Sequence, residues 1–313
     1  MFTNASYFHL QNNPHCSNFT RNAETHSFAE YYLWSAIVVG ILSPVAVAGN
    51  GLVLVAIWRN RSLRTPSYIL LAGLAFTDFS TGLISQPFYI AHNLILSVNQ
   101  TSAVHRHYEI TTAIMDGCAT YFFFLTVLII TLMSIERWLH MSRRTLVTVR
   151  RACFTIAVLL PLPIPLVVYR ISVGTHRNEL GFASLSVVLF CLTLTSAAYL
   201  KVFRIIRRHQ QQVRASEFSQ NNAQPVINLS KYRKSVFSIL YILAVFYTGY
   251  LPIAITIGVM IALKSEYELL ILNISVVLVF LSSSLNPLLY LWRMKDIRNE
   301  VERLVKRMLC TNN

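Results

Sequence analysis

The sequence predicts an all-α membrane protein: one bundle of seven transmembrane helices, then a short amphipathic helix. Three observations predict it. Only 13% of the 313 residues are charged, against about 25% in soluble proteins, while 54% are hydrophobic and the mean hydropathy is +0.50. Seven apolar stretches approach or exceed the roughly 20 residues that cross a bilayer's hydrocarbon. Basic residues also alternate from loop to loop, as they do when one set of loops faces the cytoplasm.

The predicted spans are 32–58, 67–96, 110–139, 152–169, 182–206, 234–263 and 268–293. Residues 1–31 read as a polar extracellular tail, 32–293 as the bundle, and 294–313 as the amphipathic helix and cytoplasmic tail. The tail has no apolar signal core, so the first span is expected to act as the insertion signal. Span 4 carries Pro161, Pro163 and Pro165, which break the backbone hydrogen-bond ladder. In a bundle, the freed groups are met by neighbouring helices or water. The Gln-, Asn- and Ser-rich stretch 209–230 reads as a flexible cytoplasmic loop. After span 7, Met294, Ile297, Val301, Leu304, Val305 and Met308 recur at helical spacing among Lys and Arg. That pattern suits an amphipathic helix on the inner leaflet. Cys310 at its end suits palmitoylation or stays a plain thiol.

The net charge of +14 and pI of about 9.8 would suit nucleic-acid binding if gathered on a soluble domain. Here the charge sorts by membrane side instead. Only Arg21, Arg106, Arg170, Arg177 and Lys264 fall on the side of the N-terminus; the other Lys and Arg fall on the opposite side. The positive-inside rule then puts the N-terminus outside, in a multi-pass protein of the plasma membrane. The sequons at Asn4, Asn18 and Asn99 agree with this, although Asn60, Asn228 and Asn273 also match the pattern elsewhere. The basic face implies anionic membrane lipid or an acidic cytosolic partner, and no nucleic acid. Cys16, Cys118, Cys153, Cys191 and Cys310 form no even framework and no CxxC pair, so neither a disulfide nor a metal site is expected.

Charge inside a span is costly and usually functional. Asp78 lies midway along span 2, Asn50 lies in span 1, Glu136-Arg137-Trp138 closes span 3, and span 7 holds Asn286-Pro287 with Tyr290. Taken alone, Arg137 reads equally as a surface anchor. Taken in order, Asn50, Leu71-Ala72 leading to Asp78, Glu136-Arg137-Trp138, Tyr199, Phe246, Pro252 and Asn286-Pro287-Leu-Leu-Tyr290 resemble the rhodopsin-like (class A) G-protein-coupled receptors. The likeness covers spans 1–3 and 5–7.

The resemblance implies a receptor, not an enzyme, that binds an extracellular ligand and activates a heterotrimeric G protein, with arrestin as a further partner. Pro252 and Pro287 would act as hinges. Glu136 would hold Arg137 at rest and release it towards Tyr199 and the partner, with Phe246, Tyr250 and Tyr290 completing the switch. Asp78, Thr126, Ser282 and Asn286, beside Asn50, match positions where the family holds an allosteric sodium ion. Water around a protonated Asp78 suits the same oxygens. No other cofactor is implied.

Departures from the family pattern narrow the reading. Thr112 replaces the Cys at the outer end of span 3, the loop 171–181 has none, and Cys191 replaces the span 5 proline. These features are similar to those of melanocortin, cannabinoid and lysophospholipid receptors. Tyr250 stands where the family has Trp. Ala119 removes the acid that anchors monoamines, and Phe280 replaces the opsin lysine, which excludes retinal. Asp116 with Gln86, Tyr89, Ala119, Thr120, Phe123, Tyr250 and Phe280 would line a pocket for a small amphipathic, cationic or peptide ligand. Asp116 would contact the ligand or pair with Arg170. Tyr232 replaces the acid that restrains Arg137 from span 6, which predicts signalling without agonist. A transporter would show repeated halves or paired charges along a path, an intramembrane enzyme a nucleophile–base pair or metal cluster; a receptor-like scaffold stays open.

Overall fold

A computed structural model describes residues 18–97, 105–142, 147–173, 178–219, 226–262 and 268–310, with side chains described for 29–97, 110–142, 147–172, 181–208, 211, 244–262 and 270–307. Among the described residues seven helical segments are long and apolar enough to cross a membrane: Ala29–Arg59, Pro66–Ser97, Ile110–Met141, Val149–Ser172, Gly181–Arg208, Ala244–Ala262 and Leu270–Arg293. Among those residues there is no strand. The sequons at Asn4 and Asn99, and the side chains of Asn18, Tyr232 and Cys310, lie outside what is described.

Span 1 belongs to a helix, Asn18–Arg59, that starts well before the predicted boundary at 32. Span 2 opens with Pro66 in the first helical turn, where its missing N–H costs nothing. It then runs as α-helix over Pro66–Ser80, widens to a π-turn over Thr81–Ser85 and resumes as Gln86–Ser97. Pro87 accounts for the widening, because it has no N–H and its ring would strike the carbonyl one turn back. Gly82 lets the bulge lie against span 1: a Cβ there would sit 2.9 Å from Ala46 Cβ. Ser43 Oγ donates to the Gly82 carbonyl at 2.9 Å and pins the contact.

Span 4 breaks where its prolines predict. Helices Val149–Leu159 and Ile164–Val173 flank a turn carried by Leu162 N–H to Leu159 O (3.2 Å) and Ile164 N–H to Pro161 O (3.1 Å). The break leaves the Leu160 carbonyl without its helical donor, and Tyr121 of span 3 donates to it at 3.0 Å. This is the rescue from a neighbouring helix that an intramembrane break requires.

The expected flexible loop 209–230 is corrected. Span 5 continues as helix to Ser219 within Asn178–Ser219, and the next helix begins at Val226 in Val226–Ala262. Gln, Arg and Ala are good helix formers, and low hydropathy reports only that a helix has left the lipid. Span 7, Glu268–Arg293, is followed directly by the amphipathic helix Lys295–Cys310. The apolar face of that helix packs against protein. Ile297, Val301 and Leu304 are buried with Val53, Ala56 and Ile57 of span 1 and Leu71 and Ala75 of span 2. A second cluster, with Phe124, Val127, Val188, Leu192, Phe246, Tyr250 and Val279, joins spans 3, 5, 6 and 7.

Candidate functional site

The polar residues predicted within the spans fall into three layers. In the outer layer, Asp116 Oδ2 lies 3.7 Å from Arg170 Nη2, tying span 3 to span 4 with both side chains about one-fifth exposed (20% and 22%). Of the two readings of Asp116, the geometry realises the Arg170 pair. Thr112, at the position of the family's cysteine, shares a 3.1 Å hydrogen bond with His92 Nδ1 and so links spans 2 and 3. Tyr89 packs edge-on against Phe280 with centroids 5.2 Å apart. Its hydroxyl donates to Asn273, whose amide donates to Asn93 Oδ1 at 3.2 Å. Phe123, Tyr250 and Phe246 form a continuous aromatic stack, with centroids 5.5 and 5.0 Å apart. Ala119 and Thr120 lie half-buried on the same helix. Gln86 is fully buried at the end of the π-turn, and neither its amide nitrogen nor its amide oxygen has a hydrogen-bond partner; Ser85 Oγ has none either.

The middle layer centres on Asp78, which is fully buried. Asn286 Nδ2 donates to Asp78 Oδ2 at 2.7 Å, while Asp78 Oδ1 has no partner. Asn50 Nδ2 donates to the carbonyls of Ala46 (2.9 Å) and Ser283 (3.2 Å), leaving Asn50 Oδ1 unpaired. Thr126 and Ser282 are buried. An unmet buried polar group costs about 1–3 kcal/mol, so two orphaned oxygens, one of them a carboxylate's, mark a place for something else. One carboxylate, one amide oxygen and nearby hydroxyls are the donor set of a hard monovalent cation, and the residues present fit one. The close approach of the helices here rests on glycine, which motif reading missed. A Cβ on Gly249 would meet Ser282 Cβ at 2.9 Å, and one on Gly49 would meet Pro287 Cγ at 2.6 Å.

The inner layer corrects one expectation. Glu136 Oε1 accepts from Ser67 Oγ of span 2 at 2.7 Å, and among the described residues Glu136 and Arg137 form no ion pair. Consecutive helical positions do not face each other, and Ser67 in the first turn of span 2 captures the carboxylate. Nothing local in the sequence announces Ser67, which reaches Glu136 only through the packing of span 2 on span 3. Arg137 instead lines an inner cavity of about 80 Å³ with Tyr199, Phe246, Asn286, Tyr290 and Arg293. Beside it, Lys201 Nζ sits 4.0 Å above the Trp138 ring, a cation–π contact. Every predicted switch residue except Glu136, Tyr250, Pro252 and Pro287 borders this one cavity.

Seven helices long and apolar enough to cross a membrane thus enclose a polar interior and a cavity lined by Arg137 and Arg293. By sequence comparison the chain is similar to the rhodopsin-like (class A) receptors. The model for "7 transmembrane receptor (rhodopsin family)" matches residues 49–180, from the inner half of span 1 to the start of span 5. Adenosine receptor A2b of Mus musculus is 25% identical over 317 aligned positions, covering 86% of this chain and 89% of the relative. Adenosine receptor A3 of Canis lupus familiaris is 21% identical, covering 90% of this chain and 93% of its own. Rhodopsin of Cataglyphis bombycina is 45% identical, but over 58 residues, 18% of this chain.

Proposed function

We propose that this receptor binds an extracellular ligand in the outer pocket and promotes nucleotide exchange on a heterotrimeric G protein, with no covalent chemistry of its own. One observation carries the reading: Arg137, Tyr199, Asn286 and Tyr290 converge on a single inner cavity. The helices that wall it include those hinged at Pro252 and Pro287. Outward movement of span 6 about Pro252 would enlarge the cavity to admit a partner helix, and arrestin would use the same opening. The N-terminus would face outward at the plasma membrane. Because Arg137 lacks the Glu136 pair, signalling without agonist is part of the proposal. A sodium ion among Asp78, Asn50, Thr126, Ser282 and Asn286 would favour the resting arrangement by filling the orphaned oxygens.

Whole-length similarity to adenosine receptors puts purine nucleosides first in a ligand panel. The unpaired Gln86 amide supports a ligand that offers a donor and an acceptor side by side. Membranes from cells expressing the chain, combined with a panel of purified G proteins, test the function. Guanine-nucleotide exchange above mock membranes, raised further by a panel ligand, is expected. Exchange at the mock level with every G protein and ligand, at confirmed surface expression, would overturn the proposal.

A further inference from the structure

The inner cavity holds a charge imbalance that the switch reading does not use. Two guanidinium groups, Arg137 and Arg293, line a space of about 80 Å³, and among the described residues no carboxylate lines it with them. The described acids at this end of the bundle are all engaged elsewhere. Glu136 is held by Ser67, Asp296 accepts from Tyr68, Glu300 accepts from Asn60 and Arg303, and Glu302 faces Arg298 at 3.9 Å. The Tyr290 hydroxyl on the same lining is buried and has no hydrogen-bond partner. Two like charges and an orphaned hydroxyl around one space call for an anion.

We propose that this cavity is a seat for a phosphate monoester, gripped by Arg137 and Arg293 with the Tyr290 hydroxyl as a further donor. A doubly charged tetrahedral group matches two guanidinium forks, whereas a carboxylate would leave one charge unmatched. The volume admits a single such group and no helix. The cavity also includes Trp292, which is 64% exposed on the outer face of span 7. An exposed residue on its lining brings the cavity to the edge of the bundle, next to Lys295 and Arg298 at the start of the helix Lys295–Cys310. That geometry favours the phosphorylated headgroup of an inner-leaflet lipid, because basic pockets between helices on this side recognise such headgroups. Occupancy would fill the space that Arg137 needs for a protein partner, so the lipid would restrain coupling.

The test is direct binding to the full chain in phosphatidylcholine nanodiscs. The probes are a fluorescent phosphatidylinositol 4,5-bisphosphate and the soluble inositol trisphosphate headgroup. Arg293→Gln is expected to weaken binding about tenfold and Tyr290→Phe a few-fold. Arg59→Gln, which removes the same charge from an exposed inner-face position, should cost less than about twofold. Tyr290→Phe alters no charge, so its effect separates a built seat from a basic surface, and it stands even if Arg293→Gln fails to fold. A lipid source shows as tight binding that needs the acyl chains. Equal affinity for the free headgroup, with the same Arg293 and Tyr290 dependence, supports the seat with a soluble occupant. Equal losses from Arg293→Gln and Arg59→Gln, with none from Tyr290→Phe, would overturn the proposal.

Discussion

Gly49→Ala tests how tightly span 1 is fitted to the hinge of span 7. An added Cβ would lie 2.6 Å from Pro287 Cγ and 2.9 Å from Pro287 Cβ, where 3.4–4 Å is ordinary contact. About an ångström of relief is therefore needed, and a proline ring cannot swing away because it is closed onto its own backbone. Overpacking of this kind costs about 1–3 kcal/mol. The substitution also gains about 1 kcal/mol of helix propensity, so a control with the same gain and no clash is required. Gly40→Ala supplies it, since nothing lies within 4 Å of its Cβ. The difference between the two variants isolates the clash, and corresponds to roughly 1.5–4.5 °C in melting temperature for a chain of this size. Purified protein followed by thermal denaturation without ligand gives the comparison, with Gly49→Ala melting lower. Melting within about 1 °C of Gly40→Ala would show that span 1 and Pro287 are not in contact as described.

Three further outcomes are expected. Glu136→Gln keeps an acceptor for Ser67 and removes a charge that does not hold Arg137, so basal nucleotide exchange should rise by less than about twofold, as a contact absent from the resting state shifts no population; a many-fold rise would restore the Glu136–Arg137 pair. Asp78→Asn should abolish the increment in melting temperature that sodium chloride gives over choline chloride at equal ionic strength, because a bound ion stabilises by mass action; an unchanged increment would place the cation elsewhere. Asp116→Asn breaks a partly exposed pair at 3.7 Å and should cost no more than about 1 kcal/mol of stability, read as a small shift on thermal denaturation, whereas a much larger loss would give the pair a structural weight its exposure does not predict.

The spans are legible because hydropathy reports exclusion from water, whether a side chain faces lipid or another helix. Pro161 to Pro165 likewise announced the break in span 4, since a missing N–H acts locally. The same signal misled at 209–219 and 226–230, which are helical although polarity conceals it. Asp78, Asn286 and Arg137 could be nominated because polar groups in apolar helices are conspicuous. Their partners could not. Ser67 is an ordinary serine until span 2 packs on span 3, and Gly49 and Gly249 matter only for the atoms on the facing helix. The pairing of Asp116 with Arg170 was foreseen as one of two readings, and only the placement of span 4 against span 3 separates them.

The π-turn over Thr81–Ser85 bears on how this chain is compared with its relatives. An extra residue in one turn rotates everything beyond it by about 100° relative to an unbroken helix. Gln86, Tyr89, His92 and Asn93 face the bundle because of that rotation. A relative that lacks the bulge would carry its equivalent side chains at positions shifted by one, so an ungapped alignment through span 2 would pair inward residues here with lipid-facing ones there. The gain or loss of a single codon in this turn would exchange one whole set of pocket side chains for another while leaving the inner half of the helix, and Asp78 with it, where it was.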